Sequence, residues 1–105
     1  MRKYRDQVEI IADILVAASE GCCKTNIMYR ANLSSPLLRK YLLILDETNP
    51  KLLTKEGGIY TTTEDGKKFV TRYENYKEKK SQADKAIEAT LEIRAELEEM
   101  ILKKQ

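Results

Sequence analysis

The chain has 105 residues, which is enough for one domain with a modest core but too few for two independent domains. It is 42% hydrophobic and 34% charged, and its net charge of +2 argues against a protein that coats nucleic acid by electrostatic attraction alone. No segment approaches the ~20 apolar residues of a membrane span or the pattern of a cleaved signal, so we expect a soluble, cytoplasmic protein with no membrane partner.

The residue types that most often carry catalysis or bind metals are scarce. Histidine is absent, and the two cysteines, Cys22 and Cys23, are adjacent, so they cannot close a useful disulfide loop. No glycine-rich phosphate loop or serine-nucleophile motif occurs. We therefore expect no enzymatic activity, no metal site and no cofactor, and we interpret the cysteines as reduced, buried thiols in a turn rather than as a redox sensor.

Apolar spacing predicts two helices in the first part of the chain. The first is expected over about residues 4–19, with Gly21 after its end. Its inner face is predicted to consist of Val8, Ile11, Ile14, Leu15 and Ala18. Thr25 is expected to cap a short second helix that ends at Ala31.

The stretch "NLSSPLLRKYLLIL", residues 32–45, predicts a third helix. Ser35 is the expected cap and Pro36 suits the first turn. An inner apolar stripe follows at helical spacing: Leu38, Tyr41, Leu42 and Leu45. Two short helices joined by a turn of about three residues indicate a helix-turn-helix unit.

The stretch "KLLTKEGGIYTTT" predicts a β-hairpin after the third helix. Its strands are expected at residues 51–55 and 59–62, joined around Gly57 and Gly58, because glycine tolerates the positive φ of a tight turn. Three helices followed by such a hairpin, or wing, is the order of a winged helix.

From Thr63 the pattern is helical almost to the end, and a helix of ~40 residues is ~60 Å long. Positions with alternating spacings of three and four form a heptad seam, which Phe69, Tyr73 and Tyr76 extend upstream. The seam, and hence the predicted dimer contact, is Ala83, Ala86, Thr90, Ile93, Leu97 and Met100. The alternative is a single amphipathic helix that folds back on its own domain.

The charges on this helix favour an antiparallel pair. The base-rich part contains Lys77, Lys79, Lys80 and Lys85, and the acid-rich part contains Glu92, Glu96, Glu98 and Glu99. A parallel pair places acid against acid, whereas an antiparallel pair centred near Thr90 places acids against lysines. The preference is modest, at about 0.2–1 kcal/mol per exposed pair.

Candidate DNA contacts fall on the elements that a winged helix presents to a duplex. Ser35 and Arg39 repeat on the outer face of the third helix, and Lys40 flanks that face. Lys24, Thr25 and Asn26 begin the second helix, where backbone N–H groups favour an anion. The remaining candidates are Lys55, expected at the hairpin tip, and a basic arm or first turn formed by Arg2, Lys3 and Arg5.

The segments "KTNIMYRANLS" and "LRKYLLIL", with "EIIADIL" before them and "YTTTEDGKKF" after them, resemble the archaeal winged-helix DNA-binding proteins of the ten-kilodalton class, which pair through a C-terminal antiparallel coiled coil. The resemblance implies a dimer that binds double-stranded DNA, either as an abundant chromatin-associated protein or as a transcriptional regulator. It implies DNA contacts at the same residues: Lys24, Thr25, Asn26, Ser35, Arg39, Lys40 and Lys55.

We therefore expect a mainly α fold with a small β-hairpin. Residues 1–63 are predicted to form a winged helix-turn-helix domain, and residues 64–105 a long C-terminal helix that makes an antiparallel coiled-coil dimer. The predicted function is homodimeric binding of duplex DNA in the nucleoid. The alternative is a winged-helix module that docks onto a protein partner, which the low net charge and an exposed Leu43 would suit.

Overall fold

A computed structural model describes residues 4–103 of the chain. Within this range the elements are α1 (Gln7–Ala17), β1 (Cys22–Cys23), α2 (Lys24–Arg30), α3 (Ser35–Asp46), β2 (Leu53–Glu56), β3 (Ile59–Thr62) and α4 (Glu64–Lys103). The predicted fold class is confirmed: the fold is mostly helical, with a winged helix-turn-helix and a long C-terminal helix.

The chain divides into two compact units, Met1–Tyr73 and Glu74–Gln105. We call the first the winged unit and the second the distal helix. The predicted domain limit at Thr63 falls at the start of α4, whereas the first ten residues of α4, Glu64 to Tyr73, belong to the winged unit by their contacts.

Helix α1 is shorter than the predicted span and begins with a side-chain cap. The Asp6 carboxylate accepts a hydrogen bond from the backbone N–H of Glu9 at 2.8 Å, which satisfies one of the free amides at the helix start. Its inner face consists of Ile10, Ile11, Ala12, Ile14, Leu15 and Ala17. Val8 was predicted to be inward but lies in the first turn and is exposed, and Ile10 is buried instead.

The prediction of a turn at Cys22 and Cys23 is wrong, because these residues form strand β1. They pair antiparallel with β3, with Cys22 opposite Tyr60 and Cys23 opposite Ile59. The resulting sheet has the order β1-β3-β2. The Cys22 thiol is buried as expected and donates to the Ala17 carbonyl at 3.3 Å, whereas Cys23 is half-buried.

Helix α3 buries its inner stripe as predicted. Leu38, Tyr41 and Leu45 are buried in the core of the winged unit, and Leu42 packs against it. The cap is Ser34 rather than Ser35, since the Ser34 hydroxyl oxygen accepts from the backbone N–H of Leu37 at 3.3 Å. Ser35 is therefore the first helical residue, which places its side chain on the helix surface.

The wing is the β2–β3 hairpin, and its predicted turn is confirmed. Gly57 and Gly58 have φ of +57° and +79°, the region that side chains other than glycine rarely adopt. Thr62, at the end of β3, anchors the hairpin to α1. Its buried hydroxyl donates to the Leu15 carbonyl at 2.6 Å, and its backbone N–H donates to the Ala18 carbonyl at 3.0 Å.

The start of α4 is packed tightly against the end of the wing. Thr63 caps the helix, because its hydroxyl oxygen accepts a hydrogen bond from the Gly66 N–H at 3.0 Å. A Cβ at Gly66 would lie 2.6 Å from the Thr62 methyl and would overlap the Leu52 carbonyl oxygen. One turn later, Phe69 packs against the core, so it belongs to the winged unit rather than to an upstream seam.

We predict that Gly66→Ala destabilises the protein, although the same change in an open helix would stabilise it by about 1 kcal/mol. The added methyl cannot be accommodated without moving the Leu52 backbone, and overpacking of this kind costs about 1–3 kcal/mol. Urea unfolding followed by circular dichroism measures the change. Ser81→Ala, at an exposed position of the same helix, is the matched control and should not lower the stability; an unchanged or raised midpoint for Gly66→Ala would contradict the packing described.

Candidate nucleic-acid interface

The outer face of α3 is an exposed basic surface of the helix-turn-helix. Arg39 and Lys40 are both exposed, on the side of α3 opposite the buried stripe of Leu38, Tyr41 and Leu45. The Lys40 ammonium lies 5.5 Å from the Tyr41 ring centroid, within the range of a cation–π contact. No hydrogen bond or ion pair from residues 4–103 engages the Arg39 guanidinium, which leaves its donors available to a ligand.

The predicted contacts on α2 are also at the surface. Lys24, Thr25 and Asn26 are all exposed and form the first turn of α2. The cap position is Cys23 and makes no side-chain hydrogen bond, so the prediction that Thr25 caps this helix is wrong. Thr25 is instead the second residue of the helix.

Lys55 lies on β2, one residue before Glu56, and not at the hairpin tip as predicted. It is paired across the hairpin with Tyr60, and its ammonium lies 5.5 Å from the centroid of that ring. Cross-strand partners point to the same face of a sheet, so Tyr60 supports the lysine on this face. Lys55 also lines a groove of about 260 Å³ between α3 and the wing, together with Leu43 and Asp46.

Arg5, another cation that the sequence predicted as a DNA contact, is held within the winged unit. The Arg5 guanidinium forms an ion pair with Asp13 at 2.8 Å and donates to the carbonyls of Ala31 and Asn32, both at 2.6 Å. Arg5 therefore connects the residues before α1 to the end of α2. It lies in neither a free basic arm nor the first turn of α1, so the prediction is wrong for this residue. Arg2 and Lys3, the rest of that arm, lie outside the described residues.

The basic character of α3 ends before its C-terminus. Asp46 is the last helical residue and Glu47 follows it. Lys51 donates to the backbone carbonyl of Asp46, and its ammonium lies 3.4 Å from the Asp46 carboxylate. The cationic part of the helix is thus its first two turns, and the acidic end would be repelled by a phosphate backbone.

The distal helix carries a long exposed apolar face. The predicted seam residues are all exposed, namely Ala83, Ala86, Thr90, Ile93, Leu97 and Met100. Ile87, Leu91 and Ile101 are exposed as well and widen the apolar face. Three ion pairs lie along the described part of the same helix, Lys77–Glu74 at 3.3 Å, Arg94–Glu98 at 3.1 Å and Lys103–Glu99 at 3.3 Å. Such exposed pairs contribute little to stability, so they leave the acids available to other partners.

The described residues contain neither a metal-binding cluster nor a helix that could span a membrane. Over residues 4–103 no group of three or more histidine, cysteine or acidic side chains is arranged to hold a metal ion. None of the described helices is long and apolar enough to cross a membrane.

Comparison with known proteins agrees with this architecture. Residues 4–81 match the model of the winged helix-turn-helix family. The chain belongs to that family. The fold also matches the crystal structure of Sso10a-2, a DNA-binding protein from Sulfolobus solfataricus, with a TM-score of 0.74 and 30% sequence identity over 85% of this chain and 96% of that one. A search of curated proteins finds no match.

This likeness confirms the resemblance that the sequence pointed to, an archaeal winged-helix DNA-binding family. The structure places the seven predicted DNA-contact residues at exposed positions on three neighbouring parts of the winged unit, namely α2, α3 and the wing. The predicted contacts do not include Tyr29, which is 73% exposed on α2 beside Arg30. The Arg30 guanidinium instead donates to the Ala17 carbonyl at 3.2 Å, so that arginine is partly engaged within the fold.

Proposed function

We propose that this protein is a homodimer that binds double-stranded DNA through its winged unit. The observation that carries the proposal is the outer face of α3, where Arg39 and Lys40 are exposed while the opposite stripe of the helix is buried. An α-helix fits the major groove of B-DNA, and the second helix of a helix-turn-helix is the one that enters it. Membership of the winged helix-turn-helix family and the likeness to a DNA-binding protein support the proposal that the chain binds DNA.

The proposed contacts divide by their chemistry. Arg39 is suited to bidentate hydrogen bonding with guanine or to pairing with a phosphate, and Lys40 to a phosphate. The first turn of α2, with Lys24, Thr25 and Asn26, would contact the backbone beside the groove. Lys55 would reach a phosphate from the wing, and Ser35 from the first residue of α3.

We further propose that the distal helix pairs with that of a second copy. Its exposed seam is apolar at a and d positions over roughly three heptads, and an exposed apolar helix face of this length is a partner surface. The likeness to the solved DNA-binding protein extends over 85% of this chain, so it includes most of the long helix.

The charges favour antiparallel pairing of the two helices. Residues 1–80 carry fifteen bases and eleven acids, whereas residues 81–102 carry two bases and six acids. Antiparallel pairing near Thr90 would bring the acidic part of one helix to the basic part of the other and keep it away from DNA phosphates. The dimer would then present two separate winged units to DNA in the nucleoid, as a chromatin-associated protein or as a transcriptional regulator, with no catalytic activity.

A winged-helix module that docks onto a protein is the second candidate. It is favoured by Leu43, which is 65% exposed in the middle of the same face of α3. The two candidates differ in their response to salt, because only a phosphate contact releases counterions from a duplex.

For the DNA contact, we predict that Arg39→Ala combined with Lys40→Ala weakens binding to an arbitrary duplex. It should lower the salt slope by about two for each winged unit that engages the duplex, since each phosphate contact contributes about one. Fluorescence anisotropy at salt concentrations between about 50 and 200 mM gives the slope. The matched control is Arg94→Ala with Lys103→Ala, which removes one exposed arginine and one exposed lysine from the distal helix and should leave the slope nearly unchanged. Equal slopes for the α3 variant and the wild type would refute the proposed interface.

For the dimer, we predict that Leu97→Asp yields monomers by sedimentation, because a carboxylate would be buried in the seam. Ala95→Asp places the same charge on the outer side of the heptad and should keep the dimer. Orientation is tested with a cysteine at position 97 in a Cys22→Ala, Cys23→Ala background. Two such cysteines lie about 21 Å apart in an antiparallel pair centred at Thr90 and stay uncrosslinked, whereas a parallel pair would crosslink. If the Leu97→Asp variant still sediments as a dimer, the proposed seam is not the dimer contact.

A further inference from the structure

The outermost line of α3 is apolar, with a cation on each side. At 100° per residue, Pro36 and Leu43 lie within about 20° of each other around the helix, and that line is about 180° from the buried stripe. Both side chains are exposed, Leu43 by 65%. Arg39 and Lys40 lie about 50° to either side of the same line. We call Pro36 and Leu43, with these two flanking cations, the α3 ridge.

The flanking charges indicate what the ridge contacts. Arg39 and Lys40 would face the two phosphate-lined walls of a groove if the apolar line points to its floor. Leu43 also lines the groove that contains Lys55, so a molecule that touches Leu43 meets a third cation. A polyanion with an apolar feature on the floor of its groove satisfies this arrangement, whereas an apolar protein surface leaves Arg39 and Lys40 without an anionic partner.

Duplex DNA has such a feature in the major groove. Of the groups exposed on the groove floor, the C5-methyl of thymine is the apolar one, and it accepts contacts from apolar side chains. Pro36 and Leu43 are seven residues apart, about 10.5 Å along the helix, which is close to the rise of three base pairs. The ridge therefore has the length to contact methyl groups on base pairs within one short site.

Resting on the proposed DNA binding, we propose that the α3 ridge recognises the C5-methyl groups of pyrimidines in the major groove, with Leu43 as the specificity-determining residue. Arg39 and Lys40 would supply affinity for any duplex, and the ridge would supply preference for thymine-bearing sequences. Asp46 and Glu47 follow Leu43 by one turn and limit the phosphate contacts to the first two turns of α3.

The test compares short duplexes that differ only in methyl groups. One pair has thymine or deoxyuridine at the same positions, and a second pair has cytosine or 5-methylcytosine. Removal of a contacted methyl should weaken binding of the wild-type chain by about three- to fourfold, and addition of one should strengthen it by a similar factor. Anisotropy competition at fixed salt measures both pairs.

Leu43→Ala should abolish the difference in affinity within each of the two duplex pairs. It should not alter the salt slope, since no phosphate contact is lost. As a control, Val16→Ala removes exposed apolar surface from α1 and should retain the difference in affinity within each pair.

Equal affinity of the wild type for the methylated and unmethylated duplexes, with salt-dependent binding intact, would overturn the methyl proposal and leave the proposed function standing. Loss of salt-dependent binding altogether would count against the proposed function itself. A change in sedimentation mass on Leu43→Ala would show that Leu43 contacts another protein surface, and would overturn the methyl proposal.

Discussion

The burial of Leu38, Tyr41 and Leu45 is the constraint on which the candidate interface depends. These side chains fix the rotation of α3 about its axis, because exposing any of them would lose about 1.5–3 kcal/mol of apolar burial. Once they face the core, Arg39 and Lys40 have to face solvent. The hydrophobic pattern of the helix therefore determines where the basic surface lies. No additional interaction is needed to orient Arg39 and Lys40 toward solvent.

The two parts of α4 also differ in which residues are buried: the first part packs on the winged unit, and the second carries its apolar residues on the surface. Gly66 allows the helix to start in direct contact with the backbone of Leu52, and Phe69 and Val70 add to the core of the winged unit. Beyond Tyr73 the helix carries its apolar residues on the surface. An isolated helix gains little stability without a packed face, so a partner for the seam would stabilise the whole element.

Much of the fold could be predicted because its elements carry local signals. The inner stripe of α3, the Gly57–Gly58 turn and the Thr63 cap are each specified by residues within a few positions of one another. Strand β1 could not be found in this way. Its two residues are too few to show an alternating pattern, and they form a strand because they pair with residues of β3 that lie 36 and 38 positions later.

The exposed cations of the candidate site could be predicted from the sequence, whereas the role of Arg5 could not. Exposed cations on α2, α3 and β2 follow from which face of each element is buried, and that face can be found in the sequence. The role of Arg5 could not be found, because its guanidinium binds the carbonyls that end α2, and those meet it only after the helices pack. A basic residue near a terminus has the same sequence signature whether it is free to bind DNA or engaged in the fold.

The claim that the outer face of α3 meets duplex DNA is tested most directly by NMR. Amide and side-chain resonances of the labelled full-length chain would be followed during titration with a short duplex. The account predicts that the largest shifts fall on Arg39, Lys40 and Leu43, with smaller ones at Lys24 and Lys55, and none at Val16 on α1. Shifts confined to α1 or to the distal helix, with α3 unperturbed at saturation, would contradict it.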